Sequence, residues 1–166
     1  MSRFNTLFLT AISCLIGCSE SPPTATHSPP GEQESRLQLR QNATIVRVSE
    51  LDNVLEALFR HQFENNVSGT QQQADSYFLT VKKTNPSPEF LKRFSGHTPP
   101  VRNGSNFAIG KGIEFRIDSW IWISDNKVEL TGGYFAGMLN ASGNSYTLVR
   151  KDGEWVVKNA QMVVIS

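Results

Sequence analysis

The sequence has few cysteines and no excess of charge of either sign. Only two of its 166 residues are cysteines, Cys14 and Cys18. The chain after Cys18 therefore cannot form an internal disulfide or a zinc site with thiolate ligands. Sixteen Lys and Arg residues face fifteen Asp and Glu residues. This balance lacks the basic footprint of nucleic-acid-binding proteins, so no nucleic-acid partner is expected.

Motifs of common catalytic chemistry are also missing. No His, Cys and Asp residues have the spacing of a metal-ligand cluster. The nucleophile motif Gly-x-Ser-x-Gly does not occur. We therefore expect no metal site and no cofactor, and any activity would depend on oxygen and nitrogen groups.

Long apolar runs are absent, because no stretch reaches the roughly 18 residues that a membrane-spanning helix needs. One short apolar run covers residues 7–16, and it follows the positively charged Arg3. Its length matches the core of a signal peptide, roughly 7–15 residues. This pattern predicts a signal peptide rather than a mature transmembrane helix.

Residues 15–18 read Leu-Ile-Gly-Cys, which resembles the lipobox of bacterial lipoproteins. The resemblance implies cleavage after Gly17 and lipidation at Cys18, with Cys14 discarded. The membrane would then be a partner through this lipid anchor, and the protein would lie in the bacterial cell envelope. Ser19 rather than Asp follows the cysteine, which favours the periplasmic leaflet of the outer membrane if the organism is Gram-negative. The alternative is an ordinary secretory signal that is cut nearby.

The following segment, residues 18–45, is rich in Pro, Ser, Thr, Gln and Glu and has no aromatic residue. Such a composition buries too little apolar surface to offset the entropy of ordering. We predict a disordered tether here. The domain organisation is then a signal peptide at 1–17, a lipidated cysteine and tether at 18–45, and one folded domain at 46–166.

An amphipathic helix is predicted from Ser49 to Asn65. Ser49 is a suitable N-cap, and apolar residues recur at helical spacing. These are Leu51, Val54, Leu55, Leu58, Phe59 and Phe63.

The remainder is rich in β patterns. Residues 77–81 form a short β-prone stretch, and Pro88 can open a short helix over 89–94. A long loop over 95–112 is of a kind that often forms a lid or rim. Four strands then follow in hairpin order, with Gly132, Gly133 and Gly137 expected at bulges or bends. The predicted fold class is α+β: a long N-terminal helix packed on a curved antiparallel sheet.

This order resembles the NTF2-like superfamily, which includes SnoaL- and ketosteroid-isomerase-type domains. The similar parts are the helix carrying Leu55, Leu58 and Phe59 and the final hairpin, residues 150–157, with an Asp-Gly turn before Trp155. The resemblance implies a cone with a pocket between the concave sheet and the helices. Some members are isomerases, dehydratases or cyclases, and others only bind ligands or proteins.

Five residues are candidates for a general base in such a pocket: His61, His97, Asp75, Tyr77 and Asp118. Asp75 and Tyr77 are two apart, so on one strand they would face the same side. Each also has a structural interpretation. Asp75 could cap an element at the surface, His97 could hydrogen-bond its proline-rich turn, His61 lies at the edge of the apolar stripe, and Asp118 is expected to face solvent.

The tryptophans Trp120, Trp122 and Trp155 are candidates for lining a binding groove, although core packing is their commoner use. We expect a non-catalytic module that binds a small apolar ligand or an envelope protein. The alternative is a small cone-fold enzyme of the proton-transfer type. A third possibility is a scaffold that forms a homodimer through the outer face of its sheet.

Overall fold

The computed structural model describes residues 30–66 and 73–165. The predicted signal peptide, the lipidation at Cys18 and the first part of the tether lie outside the described residues. The described elements are two α-helices, a short 3₁₀ turn at Gly104–Asn106 and six strands. Their bounds are α1 Pro30–Asn65, β1 Tyr77–Val81, α2 Pro88–Lys92, β2 Val101–Asn103, β3 Ile113–Ser124, β4 Lys127–Gly137, β5 Asn140–Lys151 and β6 Glu154–Ile165.

Helix α1 begins at Pro30, so the predicted start at Ser49 is wrong, and residues 30–45 are helical rather than a disordered tether. Proline fits the first position of a helix, and residues 32–65 contain neither Pro nor Gly. Good helix formers such as Glu, Gln, Arg and Leu fill much of the first half. That half stays exposed, as Leu37 and Ile45 illustrate. The end of the helix at Asn65 agrees with the prediction.

The second half of α1 packs on one face of the sheet. Val54, Leu58 and Phe59 are fully buried there, which confirms the predicted apolar stripe. Further along the helix, the Phe63 ring lies 5.0 Å from that of Phe115 on β3. The helix therefore has an exposed first half and a second half that forms the core with the sheet.

The six strands form one sheet in the order β2-β1-β3-β4-β5-β6. The hairpin order of β3 to β6 is antiparallel, as predicted. Strand β1, however, pairs in parallel with both β2 and β3. The sheet is therefore mixed, and the prediction of a purely antiparallel sheet is wrong. The connection from β1 to β2 contains α2, and a crossover of this length permits parallel pairing where a tight hairpin does not.

A bulge in β3 explains how both ends of that strand reach the core. Ile113, Phe115 and Ile117 are fully buried at odd positions, whereas the half-buried Trp120 and Trp122 occupy even positions. The register with β4 shifts between Ile117 and Ser119. One extra residue moves every following side chain to the other face, so the bulge keeps the tryptophans on the core side.

The loop over 95–112 contains β2 and the 3₁₀ turn and packs on the sheet. Phe107 lies 5.5 Å from Phe78 and 5.8 Å from Phe135, measured between ring centroids. Phe78 alternates along β1 with the core residues Tyr77 and Leu79, so it points to the face away from α1. The loop therefore covers that opposite face of the sheet.

Candidate functional site

A cavity of about 420 Å³ lies between the last turns of α1 and the inner face of the sheet. Its lining comes from α1 and from strands β3 to β6. The lining residues are His61, Gln62, Asn65, Asn66, Phe115, Gly133, Tyr134, Ser142, Asn144, Tyr146, Ala160 and Met162. The size falls within the range of about 300–1,000 Å³ that is typical of small-molecule sites.

Two local periodicities bring the polar groups of this wall together. Ser142, Asn144 and Tyr146 alternate along β5 and therefore share one face. His61 and Asn65 are one turn apart at the end of α1 and share one side of the helix. The helix end and the strand thus face each other with amide, hydroxyl and imidazole groups.

Gln62 is the most buried polar side chain of the cavity wall on α1, at 5% exposure. Its Nε2 donates to the Arg116 carbonyl oxygen at 3.4 Å and to Tyr146 Oη at 3.3 Å. The carbonyl fixes the amide orientation, because the reversed amide would place two oxygens against each other. Gln62 Oε1 is buried and accepts no hydrogen bond from the described residues. An unsatisfied buried acceptor of this kind is uncommon in folded proteins.

Tyr146 is equally buried and receives two hydrogen bonds on its hydroxyl oxygen. One comes from Gln62, and the other comes from Asn144 Nδ2 at 2.9 Å. Asn144 Nδ2 also donates to Ser142 Oγ at 3.3 Å. A phenol oxygen has two acceptor positions and one hydrogen, so this network leaves the Tyr146 hydroxyl hydrogen available for another partner.

His61 is held in one tautomer by its neighbour. Asn65 Nδ2 donates to the His61 carbonyl oxygen at 2.9 Å and lies 3.1 Å from His61 Nδ1. Because an amide nitrogen can only donate, Nδ1 is the acceptor, and the ring hydrogen of the neutral form lies on Nε2. Burial lowers the pKa of His61 from 6.5, against the opposing effect of Glu64. The neutral form of His61 therefore predominates at pH 7.

The cavity wall contains no Asp, Glu, Lys or Arg among the described residues. Its floor includes Gly133, where a Cβ atom would lie 1.9 Å from the Ser142 carbonyl oxygen. A side chain at this position would push β4 and β5 apart. The site is thus neutral, and its shape depends on a glycine.

Of the predicted acid–base candidates, His61 lines this cavity, and the other four do not: Asp75, Tyr77, His97 and Asp118. Asp75 precedes β1 and is exposed, whereas Tyr77 is buried in the core, with its ring 5.0 Å from that of Phe115. The His97 and Tyr77 rings come within 5.5 Å of each other. His97 Nδ1 contacts the Pro99 carbonyl oxygen at 2.8 Å, which is the structural role considered for it. Asp75 and Tyr77 therefore do not form a pair.

The three tryptophans do not line the cavity. Trp155 is buried, and Trp122 packs edge-on against it at 5.5 Å. Trp120 lies below the Lys82 ammonium group, which is 3.7 Å from the ring centroid.

Asp118 is exposed and pairs with Arg116 at 3.5 Å, as expected of a residue facing solvent.

Sequence reasoning missed Gln62, Ser142, Asn144 and Tyr146. Two signals could have pointed to them. Gln62 is a polar residue within the apolar stripe of the helix, and Ser142, Asn144 and Tyr146 are polar groups at alternate positions of a strand. Both patterns place polar atoms on faces that are expected to be buried.

Within residues 30–66 and 73–165, no group of three His, Cys, Asp or Glu side chains is placed to hold a metal ion. None of the described helices has the length and apolar character required to cross a membrane.

No protein-family model matches the chain, and no curated protein or solved structure matches it significantly.

Proposed function

We propose that this protein is a lipid-anchored protein of the bacterial cell envelope whose α+β domain binds a small molecule without catalysis. The proposal takes the domain as an NTF2-like cone and the cavity between α1 and the sheet as its ligand pocket. The observation that carries it is the cavity of about 420 Å³ itself, whose described lining combines amide, hydroxyl and imidazole groups with apolar side chains and contains no charged residue.

The volume of this cavity falls within the range of small-molecule sites. Phe115, Tyr134 and Met162 supply apolar surface, and Ser142, Asn144 and Tyr146 supply polar groups.

Asp75, Tyr77 and His97 lie outside the cavity lining, and His61 is the one predicted acid–base candidate within it. The cavity therefore lacks the predicted pair of groups that the alternative of a proton-transfer enzyme needs. Binding of a small molecule, unlike catalysis, requires only the polar and apolar groups that already line the cavity.

Native mass spectrometry of the full chain, purified from a bacterial host without denaturation, tests the binding function. We expect a retained small molecule that Ala160→Trp abolishes, because Ala160 lines the cavity and indole would fill it. Asn159→Trp is the matched control, since adjacent strand residues face opposite sides. Retention by Ala160→Trp, or no retained molecule in the unmodified protein, would contradict the proposal.

The anchor is tested separately with labelled palmitate in growing bacteria. Cys18→Ala should abolish incorporation of the label, and Cys14→Ala should leave it unchanged. Two or more acyl chains give stable membrane attachment, whereas one chain binds only marginally. If the Cys18→Ala variant is still labelled, the proposed lipid anchor at Cys18 is contradicted. The proposal for the cavity is not affected by that result.

A further inference from the structure

We infer that the first half of α1, residues 30–48, lies on the surface of an anionic membrane. This inference rests on the proposed lipid anchor and adds a second contact between the chain and the membrane. It follows from the exposed apolar side chains of this half, from a row of arginines beside them and from the short distance along the chain to Cys18.

The first half of α1 presents an apolar side to solvent. Leu37, Ile45 and Val48 are 59%, 66% and 70% exposed. Because successive helix positions are rotated by about 100°, these three side chains fall within an arc of about 80°. A helix without tertiary packing is only marginally stable in water. A surface that covers this apolar side would therefore stabilise the helix, which spans about 28 Å between residues 30 and 48.

Three arginines form a row beside this apolar side. Arg36, Arg40 and Arg47 are four and seven residues apart, a spacing that keeps them on one side of the helix. Leu37 and Arg40 border the same shallow depression of the surface, so the two rows are neighbours. Arg47 also pairs with Asp125 at 3.3 Å, but an exposed pair of this kind is weak. An apolar side flanked by basic residues is typical of helices that lie in the plane of a membrane surface.

The charge of this half fits an anionic surface. Residues 35–49 contain the three arginines and no acidic residue, and the acids Glu32 and Glu34 come before this stretch. An arginine can lay its aliphatic stem on apolar surface while its guanidinium group reaches phosphate oxygens. Basic residues close to an anionic lipid surface are attracted to it. The helix therefore carries both of the features that an anionic membrane surface binds.

The position of this half in the chain places it near the lipid. Pro30, where α1 begins, follows the predicted lipidation site Cys18 by twelve residues. A segment of that length reaches at most about 40 Å. The effective concentration of lipid headgroups around the helix is therefore high, and even a weak contact with the surface is populated.

A second copy of the chain fits this surface less well. In a pair of such helices, the polar residues Gln41 and Thr44 would interrupt the apolar row between Leu37 and Val48. Residues 35–49 offer no acid to the arginines of another copy, so the arginine rows would gain no ion pair from each other. Anionic lipid supplies both an apolar phase and negative charge.

Hydrogen-exchange mass spectrometry of the acylated protein in vesicles tests the contact. The intact mass first establishes that Cys18 is acylated. The protein is then inserted into vesicles of phosphatidylcholine, or into vesicles in which about a third of the lipid is anionic phosphatidylglycerol. Backbone amides of residues 31–48 should exchange at least about tenfold more slowly on the anionic vesicles. High salt should reduce this difference, because it screens the attraction.

Two pairs of double variants test the role of charge. Arg36→Gln combined with Arg40→Gln should remove the slower exchange on anionic vesicles. Lys151→Gln combined with Lys158→Gln is the matched control, because it deletes two exposed cations from strands β5 and β6. The control should leave the difference between the vesicles unchanged.

The apolar side is tested in the same way. Leu37→Gln combined with Ile45→Gln keeps the charge of the helix but should also remove the slower exchange. Met138→Gln combined with Leu139→Gln is the control, since both side chains are exposed and lie outside α1. All of the substituted side chains lie outside the buried core, and thermal unfolding confirms that each variant folds.

The outcomes separate this contact from the proposed function. Equal exchange on the two kinds of vesicle, or an unchanged difference in either α1 double variant, overturns the membrane contact and leaves the anchor and the ligand-binding cavity standing. Slow exchange on both kinds that increases with protein density indicates pairing between copies and also overturns it. A protein without acylation at Cys18 overturns the anchor itself, and the inference with it.

Discussion

Trp155 Nε1 donates a hydrogen bond to Glu50 Oε2 across 2.9 Å and so ties the last strand to the middle of α1. Arg150 lies 3.5 Å from the other carboxylate oxygen of Glu50. The contact falls where α1 passes from its exposed half to its buried half, at Leu51 to Val54. It therefore holds the helix on the sheet at the point where burial starts.

The first prediction concerns this bond. The hydrogen bond from Trp155 lowers the pKa of Glu50 below 4.5, and Asn53 and Arg150 act in the same direction against partial burial. Glu50→Gln should lower the free energy of unfolding by about 1 kcal/mol at pH 7, because a charge-assisted bond becomes a neutral one. Urea denaturation measures the change, and the exposed Glu154→Gln serves as the control.

The pH dependence of that difference has a definite sign. A carboxylate with a depressed pKa contributes stability above its unfolded pKa and loses it as pH falls through the folded value. The difference in stability between the unmodified protein and the Glu50→Gln variant should therefore be complete above pH 4.5 and shrink below it. A difference that persists undiminished in acid would show that the charge of Glu50 is not involved.

The second prediction tests the glycine in the cavity floor. Gly133→Ala places a Cβ atom 1.9 Å from the Ser142 carbonyl oxygen, so β4 and β5 must shift at a cost of about 2–3 kcal/mol. Gly137→Ala in the same strand meets its nearest atom, Ile109 Cγ2, at 3.9 Å and should change stability by less than about 0.5 kcal/mol. Thermal unfolding of both proteins provides the comparison. Equal effects of the two substitutions would argue against the close packing at Gly133.

The third prediction concerns His61. Burial lowers its pKa below 6.5, so the unfolded chain binds more protons between the folded pKa and 6.5. The free energy of unfolding should therefore decrease as pH falls through that window, and His61→Gln should remove this part of the pH dependence. NMR titration of the ring gives the pKa directly. Glu64→Gln should lower it further, because the Glu64 carboxylate raises it.

The fourth prediction separates the two halves of α1. Residues in the first half are largely exposed, whereas Val54 and Leu58 are fully buried. Helices without tertiary packing are only marginally stable in water. Backbone amides before Ser49 should therefore exchange with deuterium faster than those around Leu58, as hydrogen-exchange mass spectrometry would measure.

Matched glycine substitutions sharpen this test. Ala43→Gly in the exposed half should speed exchange locally without changing the thermal unfolding of the domain. Ala57→Gly, in the half that packs on the core, should cost about 1 kcal/mol of global stability. Comparable losses from both substitutions would mean that the first half of α1 also contributes to the cooperative core.

Part of the architecture could be predicted because its signals are local. The stripe of Leu58 and Phe59 determines the buried face of α1, and residues 77–81 form the predicted strand. Asp152 and Gly153 both have positive φ in the final hairpin, as the Asp-Gly signal indicates. The exposed first half of α1 was missed because its apolar content is low. There, intrinsic helix preference rather than burial favours the helix.

By itself the sequence determined the α+β class, the packing half of α1 and the hairpin order of β3 to β6, because periodicity records which side of an element is buried. Only the tertiary structure decided that β1 pairs in parallel and that Gln62 meets Tyr146, which is 84 residues away. Such contacts depend on strand register, bulges and the crossing of helix over sheet. The strand register and the crossing of helix over sheet leave no local pattern, because both are set by the simultaneous packing of distant segments.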